Sequence, residues 1–137
     1  MSQLGTLNPY VQTEAATICW ETGIKTQSRG DDKPGVYVSA NTNGAYIKLK
    51  GVDFGKKGAK KFLASVASAT KGNAIELRLD SETGPLIATL KIKSTGTLDK
   101  WQTQSCRVRG AKGVHDLYLQ FTGGGGPLLN FDWWKFE

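Results

Sequence analysis

Apolar and polar residues alternate with a period of two through several stretches of this sequence. In "AIELRLD", Ile75, Leu77 and Leu79 fall on one face of an extended chain, and charged residues fall on the other. The runs "LIATLKIK" from Leu86 and "HDLYLQF" around Leu117 repeat the pattern. Between the first two runs, "SETG" has the turn chemistry of a hairpin. The alternation predicts antiparallel strands that each bury one face.

Other segments also favour strands, and turn-rich clusters such as "GDDKPG" and "TGGGGP" separate many of them. The alanines of "KKFLASVASATKG" would allow a helix, but its Ser, Val and Thr content and the alternation of Phe62, Ala64 and Val66 favour a strand. Eight or more short strands with little helix predict an all-β sandwich or barrel. The additional predicted strands are 10–15, 35–38, 45–52, 101–108 and a closing strand from 129.

The chain length sets the expected organisation. A chain of 137 residues can close one hydrophobic core, so we predict a single domain over residues 1–137. No apolar run approaches the roughly 20 residues that a membrane-crossing helix needs, so we expect a soluble module. The opening "MSQLGTLNPY" does not resemble a secretion signal, and we expect residues 1–8 to be a linker or a cloning remnant.

The net charge of +6 raises the question of an anionic partner. Six lysines lie in "KLKGVDFGKKGAKK", between Lys48 and Lys61. Aromatic residues are not interleaved with them, and no nucleic-acid-binding motif accompanies them. We therefore interpret the lysines as a solvated basic face and predict no nucleic-acid or membrane partner.

The two cysteines, Cys19 and Cys106, leave two alternatives open. They could form a disulfide between distant strands, or both could be free thiols that pack as small apolar groups, which is the interpretation we favour. Closely spaced cysteine pairs of the metal-binding kind are absent from the sequence, so zinc is not indicated.

No catalytic constellation is evident in the sequence. His115 is the single histidine, and its neighbour Asp116 would point to the opposite face of a strand, so we interpret His115 as structural. The glycine run 123–126 lacks the Lys-Ser or Lys-Thr of a phosphate-binding loop. We predict no catalytic residues.

Three blocks of the sequence resemble family 6 carbohydrate-binding modules: "NPYVQTEAATICWETGIKTQ", "GVDFG", and "GVHDLYLQFTGG" followed by "NFDWWKF". The resemblance implies a jelly-roll β-sandwich without catalytic activity. It also implies attachment to a secreted glycoside hydrolase, of the xylanase or arabinofuranosidase kind, and hence an extracellular, monomeric module that binds xylan or xylooligosaccharides.

The family clamps a sugar between two aromatic rings and hydrogen-bonds it through an asparagine. By local motif the resemblance implies Tyr37 and Trp101 as the rings and Asn130 as the asparagine. Aromatic faces can cover the C–H faces of a pyranose while an amide reads its hydroxyls. The alternatives are that Tyr37 is an ordinary half-buried aromatic and that Asn130 only satisfies a loop backbone.

The pair Trp133 and Trp134 is a tempting sugar platform, but the family pattern leaves these residues to packing. Strict alternation puts Trp133 on a face with Phe131, and Trp134 with Phe136. One pair is expected in the core and the other beneath a loop or terminus.

Some members of the family that the sequence resembles use a second cleft on the concave face of the sandwich. Tyr46 stands near the position of an aromatic residue that some members use there. Many members have an acidic residue where this chain has Ala45, and we therefore do not predict a second site.

A structural calcium ion is the one cofactor that the resemblance implies. Gln12 and Glu14 would share one face of the first strand, and Asp132 could join them if the closing strand lies beside it. Carbonyl groups of "SRGDDKPG" and water would complete the six to eight oxygen ligands of calcium. The alternative is that Glu14 and Asp132 pair with nearby lysines.

We therefore expect a noncatalytic module that directs an attached glycoside hydrolase to plant cell-wall polysaccharide. The competing hypotheses are a lectin-like adhesion domain, a small glycan-active enzyme on the same scaffold, or a module that prefers another β-glucan. The fold by itself does not separate them.

Overall fold

The computed structural model of the chain describes residues 6–16, 20–28, 36–124 and 127–137, and for 20–22 it describes the backbone only. Within these ranges no helix has the length and apolar character needed to cross a membrane. The described strands are β1 Thr13–Glu14, β2 Trp20–Thr22, β3 Ile24–Ser28, β4 Val36–Ala40, β5 Tyr46–Asp53, β6 Lys61–Ala67, β7 Asn73–Leu79, β8 Leu86–Ile92, β9 Gln102–Arg107, β10 Val114–Thr122 and β11 Leu129–Phe136.

These strands form two antiparallel sheets. The six-stranded sheet has the order β3-β4-β11-β6-β9, with β1 also paired to β11, and the five-stranded sheet has the order β2-β5-β10-β7-β8. Because β8 and β9 lie in different sheets, the loop between them passes from one sheet to the other. The arrangement confirms the predicted all-β sandwich of jelly-roll type.

The alternation seen in the sequence matches the side chains that fill the core. On β7, Ile75, Leu77 and Leu79 are buried, whereas Glu76 and Arg78 remain partly exposed. The strand prediction for the alanine-rich segment is confirmed, because it forms β6 with its alternate apolar residues buried. "SETG" lies in the connection between the paired strands β7 and β8, as predicted for a hairpin.

The closing strand β11 departs from strict alternation. Its pairing with β6 shifts between Phe131 and Trp133, so Asp132 is an extra residue of the kind found in a β-bulge. As a result Phe131 and Trp134 are both buried, while Trp133 is half-buried. Trp134 and Phe136 share a face as predicted, and the structure shows that this pair, which the sequence left unassigned, lies in the core. The predicted pairing of Trp133 with Phe131 is wrong because the bulge reverses the alternation.

The described residues before β2 are held mainly by contacts other than regular strand pairing. The strand predicted over 10–15 is regular only at Thr13–Glu14. Before it, the Tyr10 hydroxyl donates a hydrogen bond of 2.6 Å to the Phe54 carbonyl, and Leu7 forms an isolated parallel bridge with Val52. Residues 1–5 lie outside the described ranges, and the linker assignment for 1–8 stays a prediction.

Candidate functional site

A cleft of about 440 Å³ opens on the six-stranded sheet, near the end of β4 and the beginning of β11. Alternate positions of β4 supply Tyr37 and Ser39, because residues two apart on a strand point to the same face. Asn130 of β11 lies directly opposite Ser39. The residues that line the cleft are Gln27, Tyr37, Ser39, Asn41, Leu98, Asp99, Pro127 and Asn130.

One wall of the cleft comes from residues 93–101, hereafter the β8–β9 loop. Its Thr95 N–H donates a 2.8 Å hydrogen bond to the carbonyl of Ser68, just beyond β6. Its Leu98 carbonyl accepts a 2.6 Å hydrogen bond from Asn130 Nδ2. These contacts hold the loop across the ends of β6 and β11, and so the ring of Trp101 reaches the ring of Tyr37 although three strand spacings separate β9 from β4.

The structure thus brings together the three residues predicted for sugar binding. The centroids of the Tyr37 and Trp101 rings are 5.2 Å apart, and the ring planes meet at 74° in an edge contact. A sugar stacked between two rings needs a carbon contact of about 3.5–4.0 Å on each side, hence roughly 7–8 Å between the rings. The rings are therefore in contact with each other rather than spaced as an open clamp.

Asn130 has a supporting role within the protein itself. It is only 7% exposed, and its Oδ1 accepts a 2.8 Å hydrogen bond from Ser39 Oγ while Nδ2 donates to the Leu98 carbonyl. An amide oxygen has a second lone pair and the NH₂ group a second proton. The bond to Leu98 matches the alternative interpretation, in which Asn130 satisfies a loop backbone, and it leaves one donor and one acceptor position for a ligand.

Several cleft residues were not anticipated from the sequence. Ser39 follows Tyr37 at the strand period and could have been found by that spacing. Gln27 is brought in because β3 pairs with β4 and sets it opposite Tyr37. Asp99 comes from the β8–β9 loop, where its carboxylate accepts a hydrogen bond from Thr97 Oγ1. Nothing in the sequence near Gln27 or Asp99 indicates either position.

The residues predicted for calcium lie along β1 and β11. Glu14 pairs with Trp133, and the Asp132 carbonyl accepts a 2.8 Å hydrogen bond from the Ala15 N–H. The condition set from the sequence, that the closing strand lies beside the first, is therefore met. Gln12 and Glu14 are exposed. The described residues contain no cluster of three or more His, Cys, Asp and Glu side chains, and 29–35 lie outside them.

The oxygen chemistry of these side chains suits calcium. Glu14 and Asp132 supply carboxylates, Gln12 supplies an amide oxygen, and calcium is bound in proteins by such oxygens. The β1–β11 pairing brings the segments that carry the two carboxylates side by side. The residues present therefore fit a calcium ion in donor type, and the register places Glu14 opposite Trp133, the residue after Asp132.

His115 and the cysteine on β9 have the following surroundings in the described part of the chain. The Nδ1 atom of His115 lies 3.0 Å from Asp80 Oδ2, and Nε2 lies 2.8 Å from the Lys112 carbonyl. Asp116 instead accepts a hydrogen bond from the Gly51 N–H, so the predicted separation of His115 from Asp116 is confirmed. Cys106 is a free, half-buried thiol whose pKa is raised by burial.

Two further residues named from the sequence are Cys19 and Tyr46. Cys19 lies outside the described residues, so the arrangement of that thiol is not described. On the five-stranded sheet, Tyr46 of β5 lies 5.8 Å from Tyr118 of β10, with the ring planes tilted by 45°. Lys48 Nζ lies 5.6 Å from the centroid of the Tyr118 ring.

Comparison with known proteins gives one consistent family. Residues 14–137 match the model of the family described as carbohydrate binding module (family 6). The chain is 46% identical over 140 residues to an arabinoxylan arabinofuranohydrolase of Paenibacillus polymyxa, a match that covers 99% of this chain and 22% of that protein. The chain therefore spans about a fifth of the length of this relative.

Solved structures give the same result. A family 6 carbohydrate-binding module from Clostridium cellulolyticum in complex with xylose is 40% identical with a TM-score of 0.88, covering 96% of this chain and 99% of that one. A family 43 arabinoxylan arabinofuranohydrolase from Bacillus subtilis, in complex with cellotetraose, is 43% identical with a TM-score of 0.89, covering 96% of this chain and 28% of that one. Carbohydrate-binding modules are noncatalytic, and this chain belongs to family 6 of them.

Proposed function

We propose that the cleft at Tyr37, Trp101 and Asn130 binds xylan or xylooligosaccharides. The observation that carries the proposal is that the Tyr37 ring and the buried Asn130 amide line one cleft while the Trp101 ring contacts Tyr37, although the three residues come from β4, β11 and the β8–β9 loop. The likeness to the xylose-bound module from Clostridium cellulolyticum supports this ligand class.

The chemistry of the cleft suits a neutral sugar. The aromatic faces cover the C–H surfaces of a pyranose, and the remaining donor and acceptor of Asn130 bind its hydroxyls. Gln27 and Asn41, both exposed at the cleft, add further amide groups. Since the rings touch, binding between them requires one ring to move aside, and the Trp101 ring, which precedes β9 on the loop side, is the one we assign to this motion.

A second candidate ligand is a β-glucan. The related arabinofuranohydrolase from Bacillus subtilis was solved with cellotetraose, and a glucan chain offers the same C–H faces and hydroxyl edges. Xylose lacks the exocyclic hydroxymethyl group of glucose, so a narrow cleft would favour xylan. Affinity for xylan and for β-glucan, measured side by side, distinguishes the two ligands.

The wider role that we propose is to hold an attached glycoside hydrolase on plant cell-wall polysaccharide. The share of the Paenibacillus relative covered by this chain, 22%, is what one module of a larger enzyme would cover. A role on such a substrate requires an extracellular location, and we propose that the parent protein is secreted and that the module itself is monomeric. An adhesion domain remains the alternative of a different class.

We also propose a structural calcium ion held by Gln12, Glu14 and Asp132. The β1–β11 pairing supports it, because an ion there would tie the first strand to the closing strand. When bound, the ion would supply positive charge and coordination sites, and the three side chains would hold it with their oxygen atoms. Pairing of Glu14 and Asp132 with lysines is the competing arrangement.

Affinity electrophoresis in gels that contain xylan, cellulose derivatives or mixed-linkage β-glucan tests the proposed function. We expect the strongest retardation in xylan, a dissociation constant measurable by calorimetry with xylohexaose, and no release of reducing sugar. Stronger retardation in β-glucan would favour the second candidate. No retardation in any of the gels, with a folded protein by circular dichroism, would overturn the assignment.

A further inference from the structure

A second cavity lies at the other end of the six-stranded sheet. It has a volume of about 460 Å³ and is lined by Lys60, Lys61, Ser105, Cys106 and Arg107, which we call the basic groove. The strand β6 begins at Lys61 and ends at Ala67, which lies opposite the cleft residue Asn130. Seven residues of strand correspond to roughly 20 Å, so the basic groove and the sugar cleft are well separated.

Among the described residues, no ion pair balances the charges of the basic groove. Lys61 and Arg107 are directly opposite each other in the β6–β9 pairing, and both are exposed. Like charges in this position repel each other and destabilise the pair. In the part of the chain that the structure describes, Lys60, Lys61 and Arg107 form no ion pair.

The side-chain carboxylate of Glu137 lies near Lys135 rather than in the basic groove. The main-chain oxygen of Glu137, the last residue of the sequence, accepts hydrogen bonds from the N–H groups of Lys60 and Lys61, at 2.7 and 2.9 Å. Its side-chain Oε2, however, lies 3.7 Å from Lys135 Nζ. Arg107 also lines a smaller cavity of about 240 Å³ together with Arg109, so positive charge extends beyond the groove.

From these observations we propose that the basic groove binds the carboxylate of an acidic sugar unit in a polysaccharide. The planar guanidinium of Arg107 can hold a carboxylate through two parallel hydrogen bonds, and Lys61 adds a second positive charge. The hydroxyl of Ser105 can bind a sugar oxygen. The occupant is chosen by charge complementarity and by the carbohydrate-binding family of the chain, and it does not depend on the role of the sugar cleft.

The two sites differ in the charge that they accept. The sugar cleft contains the carboxylate of Asp99, which repels an acidic sugar, whereas the described lining of the basic groove contains no acidic side chain. The groove lacks an aromatic ring as well, so binding there relies on charge and is screened by salt. An acidic polysaccharide would thus be held at a place separate from the neutral-sugar cleft.

The test measures binding of polygalacturonate by affinity electrophoresis and calorimetry, at low salt and at about 1 M salt, where the Debye length falls to roughly 3 Å. The double variant Lys61→Gln/Arg107→Gln should weaken polygalacturonate binding by about fivefold at low salt. Its binding of xylohexaose should be unchanged. The matched control is Lys71→Gln/Lys91→Gln, which removes the same charge from exposed positions elsewhere and should retain polygalacturonate binding.

Cys106 gives an independent readout because this half-buried residue is part of the groove lining. Labelling by iodoacetamide, a neutral reagent, is followed by mass spectrometry of the peptide that contains Cys106. Bound polygalacturonate should slow this labelling at least severalfold, and xylohexaose should leave it unchanged. Circular dichroism of each variant verifies the fold.

Three results would overturn the proposal. One is an equal loss of polygalacturonate binding in the control variant, because the effect would then reflect net charge alone. Another is unprotected Cys106 at saturating polygalacturonate. The third is displacement of polygalacturonate by a DNA oligonucleotide at equal charge concentration, which would identify a general polyanion surface. Failure of xylohexaose binding in the unmodified protein would count against the sugar cleft and not against the basic groove.

Discussion

The sugar cleft and the basic groove lie at opposite ends of the same sheet but are built by different means. The cleft depends on side chains from β4 and β11 and on the β8–β9 loop, whose Leu98 carbonyl is bound by Asn130. The basic groove depends on the regular pairing of β6 with β9, which sets Lys61 opposite Arg107. One sheet therefore supplies aromatic rings and an amide at one end and positive charge at the other.

Substitution of Tyr37 or Trp101 in the sugar cleft should have the largest effect, and it tests whether the cleft and the basic groove bind different ligands. Replacing Trp101 by Ala should cost about 2–4 kcal/mol of binding free energy for xylohexaose, the range of aromatic hot spots, and Tyr37→Ala should cost nearly as much. Such a loss abolishes measurable binding of a weak ligand. Polygalacturonate binding should remain. Calorimetry with each ligand in turn measures the two affinities separately.

The matched control for Trp101 is Trp133→Ala on β11, which removes another half-buried tryptophan. It should retain xylohexaose binding in a folded protein. Retained binding in Trp101→Ala together with lost binding in Trp133→Ala would reverse the assignment of the tryptophans.

Calcium removal is expected to lower the stability of the fold without changing which ligand binds to the sugar cleft or to the basic groove. An ion that binds only the folded chain stabilises it by about 2.7 kcal/mol at a concentration 100 times its dissociation constant. Exhaustive EDTA treatment should therefore lower the melting temperature, and added calcium should restore it. The variant Asp132→Asn should lessen the response.

The calcium site would be excluded by an unchanged melting temperature after EDTA, with no metal found by elemental analysis of untreated protein. Loss of melting response in Asp132→Asn but not in Asp99→Asn would locate the ion at the β1–β11 pair. Asp99 serves as the control because its carboxylate lies in the sugar cleft.

The hydrogen bond between Ser39 and Asn130 offers a smaller test of how the cleft is held. Removing one partner of a buried hydrogen bond costs about 1–3 kcal/mol when the other is left unsatisfied. Ser39→Ala leaves the amide of Asn130 with its hydrogen bond to the Leu98 carbonyl. We therefore expect the free energy of unfolding to fall by about 1 kcal/mol, the lower end of this range. Urea denaturation should detect it, and xylohexaose affinity should fall only slightly.

A large loss of xylohexaose affinity in Ser39→Ala at unchanged stability would mean that Ser39 contacts the ligand directly. That result would sharpen the cleft description by adding a second polar ligand contact on β4. Polygalacturonate binding is the internal control, because Ser39 lies far from the basic groove.

The smallest effect is expected from the second aromatic surface. Tyr46 contacts Tyr118 on the five-stranded sheet, away from both the sugar cleft and the basic groove. Tyr46→Ala should leave xylohexaose binding within error of the parent value in calorimetry. A loss comparable to that of Trp101→Ala would show that the five-stranded sheet carries a main binding surface.

Much of the sandwich followed from local pattern. The alternation on β7 and on the alanine-rich β6 predicted which residues are buried, because a strand that packs on one face must separate apolar from polar side chains. The β11 bulge was not predictable in this way. One extra residue at Asp132 changes the side of every residue beyond it, and strict alternation therefore misassigned Trp133 relative to Phe131.

The antiparallel sandwich, the family and the residue types available for sugar binding could all be predicted from the sequence, because they depend on local periodicity and on motifs. Three relations are evident only in the folded protein: the Tyr37 and Trp101 rings touch, Gln27 and Asp99 line the same cleft, and Lys61 lies opposite Arg107. These relations join residues far apart in the chain. They are set by strand order, register and the course of the β8–β9 loop, which no local pattern encodes.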